Sequence, residues 1–98
     1  MGSNGSGGVA VNGYANSLTV SNNRIVNNQG IYGGGVRLGL PLVANAFNDN
    51  VNIRNNQICE NGTLGSAGGG IALHGGSDSY AVIDNWICAN FAQGDGAG

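Results

Sequence analysis

A repeated unit governs what this chain can fold into. Asn23, Asn56 and Asn85 each stand two residues before an isoleucine, Ile25, Ile58 and Ile87, and five residues before another asparagine, Asn28, Asn61 and Asn90. The intervals between units are 33 and 29 residues. A second landmark recurs at the same period: glycines followed by apolar, any, apolar, as in Gly8-Val9-Ala10-Val11, Gly35-Val36-Arg37-Leu38 and Gly70-Ile71-Ala72-Leu73. Between them lies a third stretch, Leu18-Thr19-Val20, Val51-Asn52-Ile53 and Tyr80-Ala81-Val82. Each unit thus offers three short pieces with the two-residue alternation of a strand that buries one face.

Pieces this short cannot bury an apolar face alone. Stacking equivalent units sets each inward residue on its counterpart and pairs backbone groups with the next layer, about 4.8 Å away. The inward set of the first unit is Val9, Val11, Leu18, Val20 and Ile25. The expected fold is therefore all-β: a right-handed parallel β-helix, or solenoid, of about three coils of three short strands. Its single domain spans 1–98, with coils near 7–32, 33–67 and 68–98. Length variation supports a stack, because it falls between strands, where loops absorb insertions. Leu38 to Val51 is 13 residues, whereas Val11 to Leu18 and Leu73 to Tyr80 are 7 each. Asparagine tolerates the left-handed backbone of sharp turns, and stacked asparagines bond to their counterparts one layer away. Asn23, Asn56 and Asn85 should form one such ladder, and Asn28, Asn61 and Asn90 another.

Composition agrees. With 20 Gly, 16 Asn and 8% charged residues among 98, the chain is neither a coiled coil nor a charge-driven disordered tail. Three Arg, no Lys and a net charge of -2 leave no basic cluster for nucleic acid. The longest apolar run is broken by Pro41 and Asn45, so no membrane span is expected. Met1 to Gly8 lack the cationic start and apolar stretch of a secretory signal, so an exported parent would carry its signal elsewhere. Neither end reads as a cap, and an uncovered solenoid edge invites pairing. The expectation is a fragment of a longer array, partnered by flanking coils or by self-association.

Asn56-Gln57-Ile58-Cys59-Glu60-Asn61 leading into Gly68-Gly69-Gly70-Ile71-Ala72-Leu73, and Asn85-Trp86-Ile87-Cys88-Ala89-Asn90 leading into Gly94-Asp95-Gly96-Ala97-Gly98, resemble right-handed parallel β-helix repeat proteins. That superfamily includes pectate lyases, polygalacturonases, alginate epimerases and bacterial surface proteins. The resemblance covers nearly the whole chain, but its motifs identify a coil and not an activity.

Pectin-cleaving relatives work through clustered carboxylates that hold calcium or act on a glycosidic bond. Here Asp49, Glu60, Asp78, Asp84 and Asp95 are scattered, and no two share a strand at alternate positions. Asp84 aligns with Asn22 and Asn55 in a turn column. Gly75-Gly76-Ser77-Asp78-Ser79-Tyr80 only faintly resembles a calcium-binding β-roll repeat and reads as a turn. His74 lacks a catalytic partner at recognisable spacing. No catalytic residue, metal ligand or cofactor is expected within the segment.

Cys59 and Cys88 are equivalent, with Val26 as their first-unit counterpart, and should stack on the outer face. A separation of about 4.8 Å lies within disulfide range, but parallel Cβ vectors strain the bridge, so a pair of thiols is expected over a disulfide. Their spacing fits no zinc pattern. The outward column Arg24, Gln57, Trp86 is the binding candidate, because an aromatic face flanked by planar hydrogen-bonding groups suits a sugar ring. Asn4-Gly5-Ser6 and Asn61-Gly62-Thr63 match the glycosylation pattern, which arises readily by chance in this composition. The functional expectation is a structural or adhesive segment of an extracellular or cell-surface protein that contacts carbohydrate, and not itself an enzyme. The alternative is part of a polysaccharide lyase, hydrolase or epimerase whose catalytic residues lie elsewhere.

Overall fold

The computed structural model describes residues 7–41, 43–64, 68–75 and 78–94. Among the described residues there are twelve short strands and no helix. A first layer holds β1 (Val9–Val11), β2 (Thr19–Ser21), β3 (Arg24–Val26) and β4 (Gln29–Gly30). A second holds β5 (Val36–Leu38), β6 (Val51–Arg54), β7 (Gln57–Cys59) and β8 (Gly62–Thr63). A third holds β9 (Ile71–Leu73), β10 (Tyr80–Ile83), β11 (Trp86–Cys88) and β12 (Phe91–Ala92). All pairings are parallel and build four three-stranded sheets, β1-β5-β9, β2-β6-β10, β3-β7-β11 and β4-β8-β12. Consecutive strands lie in different sheets, and the chain returns to each sheet one step further along, which is the strand order of a parallel solenoid.

The register is the one the repeat predicts. Val9 pairs with Val36 and Val36 with Ile71; Val20 with Ile53 and Ile53 with Val82; Ile25 with Ile58 and Ile58 with Ile87. The expectation of three strands per unit is corrected to four. The extra strands β4, β8 and β12 are two residues long, too short to show alternation, and Gln-Gly, Gly-Thr and Phe-Ala share no apolar position.

The core is the inward column set: Val20, Ile25, Val36, Leu38, Val51, Ile53 and Ile58, with Val9, Val11, Leu18, Ile71 and Tyr80 packed against it. The second layer is the most enclosed, because it has a neighbour on both sides. Burying each such aliphatic side chain contributes about 1.5–3 kcal/mol. Gly34 and Gly35 admit the close approach of the layers: a Cβ on Gly35 would strike the Gly70 carbonyl oxygen and the Ile58 side chain.

Turns are stacked as strictly as strands. Left-handed residues recur in register at Tyr14 and Phe47, at Ser17, Asn50 and Ser79, at Asn22, Asn55 and Asp84, and at Asn27, Glu60 and Ala89. The last two columns immediately precede the ladder asparagines, so two neighbouring residues divide the work. One takes positive φ, and the next spans the layers with its amide.

Both expected ladders form. Asn56 Oδ1 accepts from the Asn23 backbone N–H at 3.0 Å and from Asn23 Nδ2 at 3.1 Å; Asn85 Oδ1 does the same for Asn56 at 3.0 Å each. Asn61 and Asn90 repeat the scheme above Asn28 and Asn61. Each amide also donates from Nδ2 to a carbonyl of the preceding layer at 2.8 Å: Asn56 to Val20, Asn85 to Ile53, Asn61 to Ile25, Asn90 to Ile58. Asn56 and Asn61 are buried, and within the interior each satisfied bond contributes on the order of 1 kcal/mol.

Candidate functional site

The outer face of the β3-β7-β11 sheet carries the binding candidate. Alternation along β3, β7 and β11 turns Ile25, Ile58 and Ile87 inward and therefore turns Arg24, Gln57 and Trp86 outward. Strand register then aligns them: Arg24 pairs with Gln57 and Gln57 with Trp86. Successive members are one layer apart, about 4.8 Å. Arg24 is exposed, Gln57 half-buried, and Trp86 is 70% exposed. The column offers a guanidinium, a carboxamide and an open indole face in one line. Such groups bind flat, hydroxyl-bearing ligands by ring stacking and hydrogen bonding.

Beside that column, Val26, Cys59 and Cys88 are also in register. Contrary to the expected thiol pair, Cys59 and Cys88 form a disulfide with Cα atoms 4.6 Å apart. The register alone delivers the pair to bonding distance, which outweighs the expected cost of parallel Cβ vectors. The bridge ties the second and third layers together on the same outward face of the sheet that presents Gln57 and Trp86.

The carboxylates do not converge on a catalytic arrangement among the described residues. Glu60 and Asp84 occupy the left-handed turn positions, and both are exposed. Asp49 and Asp78 fall in adjacent layers, but Asp49 Oδ1 accepts the backbone N–H of Asp78 at 2.8 Å, which is a turn bond. No group of three or more His, Cys, Asp or Glu could hold a metal among the described residues. His74 is half-buried just after β9; its backbone N–H donates to Leu38 O at 2.8 Å, and its Nε2 has no hydrogen-bond partner there. Asp95, the Asn4-Gly5-Ser6 triplet, the closing Asp95 to Gly98 stretch, and Gly76 and Ser77 of the calcium-like motif lie outside the described residues. In the second acceptor triplet, Asn61 is buried in its ladder and Thr63 Oγ1 donates to Ile31 O, so this triplet serves the stack.

Two features escape the sequence reading. Asn48 is fully buried, and its Oδ1 accepts from the Ala15 backbone N–H at 3.1 Å, an interlayer bond at a further corner. The first unit has Ala15 there, so no asparagine repeat signals it. Tyr14 and Phe47 stack on the outside with ring centroids 5.7 Å apart, both exposed and both left-handed. Their interval of 33 residues was the available signal. Arg37, outward in β5 by alternation, is nonetheless buried; its guanidinium donates to Asn12 Oδ1 at 2.6 Å, and desolvation lowers its pKa from the usual value.

Among the described residues, no helix is long and apolar enough to cross a membrane. Comparison with protein-family models, with curated proteins and with solved structures finds no match for this chain.

Proposed function

We propose that this chain is a structural or adhesive segment of a right-handed parallel β-helix, about three coils of a longer array, from an exported or cell-surface protein, and that it contacts carbohydrate through Arg24, Gln57 and Trp86. The observation that carries the reading is the exposed Trp86 indole in register with Gln57 and Arg24. A large aromatic face left in solvent gains nothing for folding and suits the apolar face of a sugar ring. Right-handedness rests on the general preference of parallel strand crossovers, since each return to a sheet is such a crossover. The extracellular setting rests on the Cys59–Cys88 bridge, which persists in oxidising compartments. The repeat's resemblance to pectate-lyase-like proteins fits the same assignment and adds no activity to it.

The test is binding of the 98-residue chain to a panel of acidic and neutral polysaccharides, followed by calorimetry on the best ligand. Trp86→Ala should abolish binding while leaving the melting temperature nearly unchanged, because an exposed side chain contributes little to stability. Equal affinity of the variant and the parent chain would refute the assignment. Release of new reducing or unsaturated ends from a bound polymer would favour the lyase, hydrolase or epimerase reading instead.

A further inference from the structure

An asparagine followed by glycine is prone to attack on itself. The glycine nitrogen lies within one side chain's reach of the amide carbon, and no Cβ hinders closure of the five-membered ring. The chain holds three such pairs, Asn4-Gly5, Asn12-Gly13 and Asn61-Gly62. The first lies outside the described residues, and the fold treats the other two in opposite ways.

At Asn61 both reacting groups are engaged. Its buried amide makes four ladder bonds, and the Gly62 N–H donates to Asn28 O at 2.8 Å. Turning that amide onto the Gly62 nitrogen would break all of them. Asn12, by contrast, is exposed, and among the described residues the Gly13 N–H has no hydrogen-bond acceptor. A Cβ at position 13 would lie 2.8 Å from the Ala46 carbonyl oxygen, so the packing of the layers keeps glycine there. The Asn12 amide is held at its oxygen, where Arg37 Nη2 donates to Oδ1 at 2.6 Å. Arg37 is itself buried on β5 of the second layer, so the stack fixes the direction of its guanidinium. A preorganised cationic donor on a carbonyl oxygen makes the carbon more electrophilic and stabilises the oxyanion that attack creates.

We propose that Asn12 is a self-modification site, where Arg37 assists attack by the Gly13 nitrogen and the asparagine becomes a carboxylate. The Gly13 N–H gives its proton to solvent, and the nitrogen electron pair forms a bond to Asn12 Cγ. The C=O pair moves onto Oδ1, where Arg37 holds it. As the tetrahedral centre collapses, the Cγ–Nδ2 bond breaks, and the amide nitrogen takes a proton from water and leaves as ammonia. Water then opens the five-membered imide, so that asparagine and water give aspartate or isoaspartate and ammonia. Opening at Cγ restores the peptide backbone and leaves a carboxylate facing the guanidinium, whose planar fork suits it. A hydrogen bond between the first and second layers thereby becomes an ion pair, and a chain of net charge -2 gains one negative charge. This inference is independent of the proposed carbohydrate contact and of what lies beyond either end of the stack.

Peptide mapping by mass spectrometry during incubation at neutral pH tests it, since each conversion adds about 1 Da and fragment ions assign the gain to a residue. The oxidised chain in buffer is followed beside the same chain unfolded in guanidinium chloride. Unfolded, Asn12 and Asn61 share the same following residue and should convert at similar rates. Folded, Asn12 should convert about tenfold faster than it does unfolded, while Asn61 falls far behind. A folded Asn12 that converts no faster than the unfolded one would overturn the proposal. Arg37→Gln should return Asn12 to the unfolded rate; an unchanged rate would remove Arg37 from the reaction and equally overturn it. Slow conversion of Asn61 in that variant reports an intact stack. Should the variant lose its fold, the comparison of the parent chain folded and unfolded still decides.

Discussion

Asn61 is the position where the ladder's energetic role is most exposed to test. Its amide makes four bonds: Oδ1 accepts from Asn28 N and Nδ2 at 3.1 Å each, and Nδ2 donates to Ile25 O at 2.8 Å and Asn90 Oδ1 at 3.1 Å. In Asn61→Ala, Asn90 Oδ1 keeps the Asn61 backbone N–H at 2.9 Å and the Ile25 carbonyl keeps its place in the parallel β3-β7 ladder, but the Asn28 N–H loses its partner inside the stack. One orphaned group at about 1–3 kcal/mol, with the lost Nδ2 bonds at about 1 kcal/mol, gives an expected loss of about 2–4 kcal/mol. Asn28→Ala removes one of the two donors to Asn61 Oδ1 and a 3.2 Å bond to Val26 O at the edge of the stack, and should cost about 0.5–1.5 kcal/mol. Asn61→Asp sharpens the argument. It keeps the acceptor but turns an oxygen toward Ile25 O and Asn90 Oδ1, so burial and facing acceptors raise its folded pKa above the ordinary value of about 3.9. Its added penalty is absent below that ordinary pKa and grows as pH rises toward the folded one. Urea unfolding of the oxidised variants from acid to neutral pH measures all three. Equal losses for Asn61→Ala and Asn28→Ala, or a pH-independent Asn61→Asp, would refute the ladder energetics.

Three further outcomes follow from the layers. Ile58→Ala, enclosed between Ile25 and Ile87, should cost about 2–5 kcal/mol by chemical denaturation, and Ile87→Ala, partly exposed, clearly less. Reduction of Cys59–Cys88, which spans 29 residues, should lower stability by about 2–4 kcal/mol, read as a fall in melting temperature with reductant. Gly35→Ala should destabilise by about 1–3 kcal/mol, because its Cβ meets the Gly70 carbonyl, whereas Ala at exposed Gly75, where a Cβ meets nothing, should be near neutral.

Much of the stack was legible because equivalent positions repeat their chemistry. Isoleucine recurs at 25, 58 and 87, and asparagine recurs on both flanks, so one alignment predicted register, core columns and ladders together. It also placed Arg24, Gln57 and Trp86 in one outward line. Apart from the Tyr14 and Phe47 pair, what escaped does not repeat its side chains. The two-residue strands carry unrelated side chains, and Asn48 has Ala15 as its first-layer counterpart. The left-handed sites include Glu60, Ala89 and Tyr14, residues with no local leaning toward positive φ, so the stacked backbone, not propensity, imposes that conformation. The disulfide was underestimated because its two opposing terms, proximity and Cβ direction, have similar weight when read from spacing alone.

Isoleucine-methyl-labelled nuclear Overhauser spectroscopy addresses the layer order itself. Cross-peaks should join Ile25 to Ile58 and Ile58 to Ile87, accompanied by the interstrand backbone contacts of parallel strands at the same residues. A direct Ile25 to Ile87 contact without Ile58 between them, or antiparallel backbone contacts at these strands, would contradict the stack.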